Sequence, residues 1–156
     1  MPKLDLDKAP VKTGSIYPEP YASRMAGRSS KRLAVAGGLT QYGVNLVMLE
    51  PGAPSSLRHW QLREDEFVYV TNGPLVMMTD AGETIMETGD CAAFPAGSTD
   101  AHCFVNRTDT QRSFLVVGTS IDGEEVTYPD DDLKLRISNG TPHFTRLDGS
   151  PLGDTP

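Results

Sequence analysis

The sequence contains little cysteine and no long hydrophobic run. Its two cysteines, Cys91 and Cys103, cannot form the disulfide framework of a small secreted domain, so a reduced, cytoplasmic environment is expected. Each is expected to act as a small buried apolar side chain. No stretch approaches the roughly 20 apolar residues that cross a bilayer. The opening MPKLDLDKAPVKTG lacks the apolar segment of a secretory signal. We therefore expect neither membrane insertion nor export.

Positive charge is also scarce. The chain has 14 Lys and Arg against 21 Asp and Glu, which gives a formal net charge of -7. Nucleic-acid binding requires a basic surface, so nucleic acid is excluded as the main partner. The length of 156 residues is sufficient for one domain with one hydrophobic core. These properties leave a single acidic domain whose main partner is neither nucleic acid nor a membrane.

Helical periodicity is missing, whereas turn-forming residues are abundant. The 15 glycines and 12 prolines separate short β-rich runs, for example at Pro51-Gly52 and at Asp80-Ala81-Gly82. The predicted strands are YGVNLVMLE, SLRHWQ, EFVYV, LVMMTD, ETIMET, CAAF, HCFVN, RSFLVVG, EVTYP and LKLRIS. Their spacing of about 8–12 residues is typical of an all-β sandwich or barrel. Residues 1–30, rich in Pro, Lys and Ser, are predicted to be an extended N-terminal arm with little structure of its own. This arm would lie across its own barrel or a neighbour's, and the domain would occupy residues 31–156.

Two clusters of polar residues carry the chemistry. In RHWQLREDEFVYVTNG, residues 58–73, His59 and Gln61 alternate and therefore project from the same face of an extended chain, and Glu66 follows them. A second cluster, GDCAAFPAGSTDAHCFVN, supplies His102 and Asn106. Two imidazoles and one carboxylate from His59, Glu66 and His102 would form a metal site with open positions, suited to Fe(II), Mn, Ni or Zn. A substrate oxygen, water or dioxygen would bind at those positions.

Each of these residues also has a simpler interpretation. His59 alone would be a hydrogen-bonded core histidine, and Glu66 would pair with Arg58 or Arg63. Gln61 is either a weak neutral fourth ligand, a residue that orients a bound water, or a polar filler in a site that has lost its metal. The residues themselves leave these alternatives open.

Both clusters resemble the two motifs of the cupin superfamily. The matching residues are Pro51-Gly52, His59-Trp60-Gln61, Glu66 and Gly73 in the first motif, and Gly89, Pro95-Ala96-Gly97, His102 and Asn106 in the second. The resemblance covers residues 42–120, and the ending YPDDDL…HFTRLDGSP is similar to small single-domain bacterial cupins labelled as candidate sugar-phosphate isomerases. The chain departs from the family pattern at Gln61, where the family has a second histidine. It also departs in the lengths of the loops before His59 and before His102.

The resemblance implies an all-β fold, a single-domain cupin β-barrel or jelly roll with an extended N-terminal arm. It implies one divalent metal ion per chain (Fe, Zn, Mn or Ni), with His59, Glu66 and His102 as ligands and Gln61 as a further candidate. Glu66, if released from the metal, would be the catalytic general base. Cupins of this size commonly form homodimers, so a homodimer is also expected.

Strand alternation predicts a mostly apolar small-molecule pocket with a few polar groups. The predicted inward-facing residues are Asn45, Val47, His59, Gln61, Glu66, Val68, Val70, Phe94, His102, Phe104 and Val117. Four residues are candidate substrate contacts: Asn45, Phe94, Phe104 and Asn106. Asn106 has an alternative role in capping a turn or orienting a loop.

Two functions remain open at this point. One is a metal-dependent enzyme that acts on a small oxygenated metabolite, a sugar derivative or a keto or hydroxy acid, by Lewis-acid isomerase or lyase chemistry or by oxygenase chemistry. The other is a non-catalytic small-molecule binding or sensor protein with a degenerate metal site, which the replacement of a histidine by Gln61 favours.

Overall fold

The computed structural model describes residues 3–153, and β-strands dominate it. The strands are β1 (Val11–Thr13), β2 (Arg28–Arg32), β3 (Tyr42–Leu49), β4 (Trp60–Gln61), β5 (Glu66–Asn72), β6 (Leu75–Thr79), β7 (Gly82–Met86), β8 (Cys91–Phe94), β9 (Cys103–Val105), β10 (Arg112–Thr119), β11 (Glu125–Tyr128), β12 (Leu133–Ser138) and β13 (Thr141–Thr145). A 3-10 helix, Ala22–Met25, and one short α-helix, α1 (Leu33–Gly37), complete the secondary structure of the described residues. Neither helix is long enough to span a membrane. The predicted all-β fold is confirmed.

Three antiparallel sheets build the barrel. The largest has the strand order β1-β2-β3-β10-β5-β8, a second has β13-β12-β11-β4, and the third has β7-β6-β9. The main core fills the space between the first and third sheets and consists of Val47, Leu49, Ala53, Val68, Val70, Leu75, Met86, Phe104 and Phe114. A second apolar cluster, formed by Met25, Leu57, Val126, Tyr128, Leu133 and Leu135, covers the four-stranded sheet.

Alternation along β5 gives the barrel wall two different faces. Val68 and Val70 are fully buried, whereas Phe67 and Tyr69 between them are 43% and 41% exposed. Phe67 pairs with Val117 of β10, and residues paired across antiparallel strands share a face. Val117 therefore faces outward, and its predicted inward position is wrong. The run Val116-Val117 is apolar on both faces, so its alternation could not be read from the sequence.

The predicted N-terminal arm is part of the barrel. β2 pairs with β3 over its whole length, and β1 pairs with β2, so both extend the six-stranded sheet. Met25 is buried in the second cluster, where Tyr17 and Tyr21 pack beside it. The predicted boundary after residue 30 falls inside β2. The sequence contains no sign of this strand, because its residues are polar and main-chain pairing alone fixes it. Residues 1–2 of the predicted arm and 154–156 of the predicted domain lie outside the described residues.

Other differences concern short elements. The predicted strand SLRHWQ is reduced to the two residues of β4, and β13 was not predicted.

Cys103 is buried as expected, but Cys91 is exposed, because it lies on the outer face of β8, opposite Tyr69. Gly73 of the first motif lies where a Cβ atom would be 2.9 Å from the carbonyl oxygen of Met86, so glycine permits this close approach.

Candidate metal centre

His59 and His102 are brought together by an isolated antiparallel bridge. The His59 amide donates to the His102 carbonyl oxygen at 3.0 Å, and the His102 amide donates to the His59 carbonyl oxygen at 2.8 Å. Residues directly opposite in such a pair project from the same face. The two imidazole centroids are accordingly 4.7 Å apart. Main-chain pairing thus explains how two distant motifs form one site.

Glu66, at the start of β5, completes the cluster. One ligand atom from each of His59, Glu66 and His102 lies within 4.8 Å of the other two, and Oε1 of Glu66 is 3.1 Å from Nε2 of His102. The alternative partners of Glu66 are engaged elsewhere. Arg58 pairs with Asp80 and Asp130, and the Arg63 guanidinium donates to the Asp122 carbonyl oxygen.

The backbone selects the tautomer of His59. Nδ1 of His59 lies 3.0 Å from the Leu57 carbonyl oxygen, which can only accept, so Nδ1 carries the proton. Nε2 then retains a lone pair for a metal, an arrangement common among metal-binding histidines. Burial lowers the pKa of His59, although Glu66 opposes this effect. The imidazole is therefore held neutral, as ligation requires.

The His102 imidazole is fixed by packing. It stacks on the ring of Phe94 with a centroid separation of 3.4 Å and an interplanar angle of 5°. Its Nδ1 is buried and has no hydrogen-bond partner among the described residues. Phe94 therefore restricts the ring rotation of His102 without using either ring nitrogen.

Gln61 lines the same cavity as His59 and His102 and carries an unpaired side-chain oxygen. Its Nε2 donates to Oε2 of Glu64 at 3.3 Å, and because a carboxylate only accepts, this contact fixes the orientation of the amide. Oε1 of Gln61 is then buried without a partner in the described part of the chain. Buried polar atoms are rarely left unpaired. Because Gln61 lines the same cavity as the two imidazoles and the carboxylate, this orphaned oxygen fits a divalent cation.

The glycine turn of the second motif is hydrogen-bonded to the main chain of Gln61. Gly97 has a φ of +77° and donates its amide to the Gln61 carbonyl oxygen at 2.9 Å. A left-handed φ favours glycine, because other residues meet a steric penalty there. The sequence PAG thereby joins the two motifs at the site.

Opposing effects set the ionisation of Glu66. Burial alone would raise its pKa, but the hydrogen bond with His102 and electrostatic interactions with His59, His102 and Arg28 more than compensate. The pKa of Glu66 is consequently below its ordinary value. The carboxylate is ionised at neutral pH and can ligate a cation.

A cavity of about 290 Å³ opens beside these groups. Among the predicted site residues, its walls contain His59, Gln61, Glu66, His102, Asn45 and Phe104. Phe94 instead lines a neighbouring apolar groove together with Tyr42, and it contacts the site through His102. The structure thus brings together the four predicted metal-binding residues and two of the four predicted substrate contacts.

Asn106 has a structural role. It is fully buried and lies outside the cavity lining. Its Nδ2 donates to the carbonyl oxygens of Leu49 and Thr110, and its Oδ1 accepts from the amide and hydroxyl of Thr108. All of its hydrogen-bonding groups are used within the protein, so the predicted substrate contact does not fit this placement. The alternative role in orienting a loop does.

Several further residues of the cavity wall were not predicted, among them Tyr17, Arg28 and Glu64. Tyr17 and Arg28 belong to the N-terminal segment, whose polar composition gave no sign of a strand. Burial raises the pKa of Glu64, and the nearby Glu124 and Glu66 add to this effect, whereas a hydrogen bond from the Ile121 amide opposes it. The signal for Glu64 in the sequence was its position three residues after Gln61, within reach of the Gln61 side chain.

Comparison with known proteins identifies the family. The model of the cupin domain matches residues 45–118. A sugar phosphate isomerase from a cupin superfamily, from Silicibacter pomeroyi, is 55% identical, with a TM-score of 0.95 and 98% of each chain covered. A candidate sugar phosphate isomerase from Acidithiobacillus ferrooxidans is 26% identical, with a TM-score of 0.74, and the match covers 90% of this chain and 97% of that one.

More distant matches show the fold alone. The polyketide cyclase RemF from Streptomyces resistomycificus is 19% identical, with a TM-score of 0.60, and the match covers 76% of this chain and 79% of that one. No curated protein matches the chain significantly. The two motifs, the barrel and the relative of 55% identity agree, and the chain belongs to the cupin superfamily.

Proposed function

We propose that this protein is a metal-dependent enzyme that isomerises a small sugar derivative. One observation carries the proposal: two imidazoles and a carboxylate, from three separate segments, converge within 4.8 Å on the wall of a cavity. His59, Glu66 and His102 would hold one divalent ion, Fe, Zn, Mn or Ni, and Oε1 of Gln61 would be a fourth donor. When bound, such an ion supplies Lewis-acid polarisation of a substrate oxygen.

The protein residues would orient the substrate and move its proton. Aldose–ketose isomerisation transfers hydrogen between neighbouring carbons, so a base must stand beside the substrate. Two carboxylates line the cavity, Glu66 and Glu64. Glu66 contacts His102 and serves best as a ligand, which leaves Glu64 as the base. The alternative prediction, in which Glu66 leaves the metal and acts as the general base, is untested. Asn45 and Phe104 would contact the bound substrate.

The substrate class is inferred from the relatives. The proteins from Silicibacter pomeroyi and Acidithiobacillus ferrooxidans carry the name sugar phosphate isomerase, the second as a candidate. The cavity of about 290 Å³ is at the lower end of the usual size for small-molecule sites, which suits a short sugar. If the bound metal proved to be iron, oxygenase assays would be added.

Metal content tests the proposal directly. Plasma mass spectrometry of untagged protein, purified without added metal, should give close to one metal per chain. His59→Ala and His102→Ala should lose most of it. His143→Ala is the matched control, because the remaining histidine is exposed on β13. Sugar-phosphate interconversion, followed by NMR, should disappear with the metal. A wild-type protein that stays metal-free after incubation with all four ions contradicts the proposal.

A non-catalytic binding protein is the second candidate. The observation in its favour is Gln61, an amide where the first cupin motif has its second histidine. A binding protein would keep its affinity for a sugar derivative after chelation, whereas the enzyme would lose turnover. Thermal-shift measurements with and without EDTA separate the two.

We further propose that the protein is a cytoplasmic homodimer. Both cysteines are free, which suits a reducing compartment. The outer face of the six-stranded sheet exposes Phe67 and Tyr69 side by side with half-buried Leu115 and Val117. An aromatic and aliphatic surface of this kind suits contact with a second copy.

A further inference from the structure

The guanidinium of Arg28 lies in the barrel without an ion-pair partner. Arg28 is paired with the fully buried Leu49 of β3, so its side chain projects to the inner face of the sheet. There it donates from Nε to the Ser55 carbonyl oxygen and from Nη1 to the Gly14 carbonyl oxygen. No carboxylate of residues 3–153 forms a salt bridge with it.

A partly buried guanidinium without a salt bridge is energetically unfavourable unless an anion binds to it. A guanidinium has five N–H donors, and neutral carbonyl oxygens occupy two of them here. Burial of a charge without an ion-pair partner is unfavourable, and burial lowers the pKa of Arg28, although Tyr17 and Glu66 oppose this effect. The two carbonyl contacts hold the group in one orientation, with its remaining donors available to a ligand.

Arg28 belongs to two adjoining cavities. It lines the cavity of the metal centre, and it also lines a second cavity of about 190 Å³. Tyr17, Ser55 and Ser56 line both cavities as well, so the two spaces share a wall. The Ser56 hydroxyl lies 3.3 Å from Nδ1 of His59, which places this shared wall beside the metal centre.

The second cavity is cationic. Its lining contains Lys12, Ser15, Ile16, Tyr17, Arg28, Ser55, Ser56 and Tyr128, and no acidic residue. Lys12 is paired with the buried Ser30 of β2, so it projects to the same inner face as Arg28. Burial lowers the pKa of Lys12, and the positive charges of Arg28 and Arg32 lower it further. Two cations and three serines without a carboxylate are a donor set for an oxyanion.

We propose that Lys12 and Arg28 form an oxyanion subsite that binds the phosphate or carboxylate group of a substrate whose other end reaches His59, Glu66 and His102. The inference rests on the proposed function for the identity of the substrate's reactive end, but the subsite itself is defined by the cations alone. It assigns the N-terminal strands β1 and β2 a role in substrate selection. Neutral sugars would lack the group that this subsite recognises.

Calorimetric titration of the full-length protein with inorganic phosphate, and separately with acetate, tests the subsite. Lys12→Met and Arg28→Met are each expected to weaken binding of the preferred anion about ten- to a hundredfold, because each removes a charge-assisted contact. Lys8→Met and Arg136→Met are matched controls, since both side chains are largely exposed, and they should bind as the wild type does.

The two anions distinguish the sources of the oxyanion. Preference for phosphate assigns a phosphate ester, and preference for acetate assigns a carboxylic acid. Arg28→Met removes two main-chain contacts and can impair folding, so circular dichroism and the melting temperature accompany it. Lys12 makes no side-chain hydrogen bond within residues 3–153, so Lys12→Met tests the subsite without that complication.

Several outcomes would overturn the subsite. These are absence of binding by either anion, binding that Lys12→Met and Arg28→Met leave unchanged, and binding that is lost only in His59→Ala and His102→Ala. The last result would place the anion on the metal. A protein that binds phosphate through Lys12 and Arg28 but never takes up metal would refute the proposed isomerase and leave the oxyanion subsite standing.

Discussion

The ring of Phe94 lies parallel to the imidazole of His102, 3.4 Å from it, and separates that ligand from the neighbouring groove. Phe94 is the last residue of β8 and is paired with Glu66 of β5. One aromatic residue therefore lies next to two predicted metal ligands without ligating. Its role is to hold the imidazole in the orientation in which Nε2 meets the Glu66 carboxylate.

Replacement of Phe94 tests this positioning role. Phe94→Ala should weaken metal binding about tenfold, as loss of a group that orients a ligand commonly does. It should also lower the free energy of unfolding by about 2 kcal/mol, because the ring is only half-buried. Phe94→Leu should recover most of the stability but less of the affinity, since it fills space without stacking. Metal titration and urea unfolding of both variants provide the measurements, and equal metal affinity in Phe94→Ala and wild type would contradict the role.

Gln61 offers a gain-of-affinity test. Gln61→His restores the donor set of the family motif and places a third imidazole where the orphaned Oε1 lies. We expect zinc to bind about tenfold more tightly or better, a change of about 1.4 kcal/mol in binding free energy. Competition with a chromophoric chelator measures the affinity. Gln61→Leu, which removes the donor, should shift it in the opposite direction. If both variants bind zinc as the wild type does, Gln61 is not a ligand.

Asn106 should affect stability and leave metal binding intact. Asn106→Ala leaves the carbonyl oxygens of Leu49 and Thr110 without their buried donor, and the Thr108 amide without its acceptor. The expected cost is about 3 kcal/mol in the free energy of unfolding, measured in urea. Asn72→Ala, at an exposed position, should cost less than about 1 kcal/mol. Loss of metal from a folded Asn106→Ala protein would show that the second motif uses this residue at the site.

The buried thiol of Cys103 should lower the free energy of unfolding at alkaline pH. Burial raises the pKa of its thiol to about 11 in the folded protein. The unfolded chain releases this proton near pH 8.5, so above that pH the unfolded state binds fewer protons and stability falls as pH rises. The contribution between pH 9 and 10 is about 1 kcal/mol. Urea unfolding across this range should show a shallower decline for Cys103→Ala than for Cys91→Ala, the exposed control. Identical slopes would exclude a buried thiol at position 103.

The sequence predicted the site better than it predicted the cavity around the site. His59, Gln61 and Glu66 lie in one short motif, alternation places His59 and Gln61 on a shared face, and the second motif adds His102. Arg28 could not be found in this way. The segment RSSKR has no apolar alternation, and it becomes a strand because its main chain pairs with β3. Long-range pairing of a polar segment leaves no local signal.

The homodimer is tested at the outer face of the six-stranded sheet. Phe67→Glu and Tyr69→Lys each place a charge among exposed apolar side chains, so each should convert a dimer into a monomer. Ile85→Lys is the control: Ile85 is 66% exposed, but it lies on β7 of the three-stranded sheet. Size-exclusion chromatography with light scattering should show a dimer for the wild type and for Ile85→Lys. A monomeric wild type rules out the dimer, and a dimer that persists in both outer-face variants while Ile85→Lys dissociates moves the interface to the opposite side of the barrel.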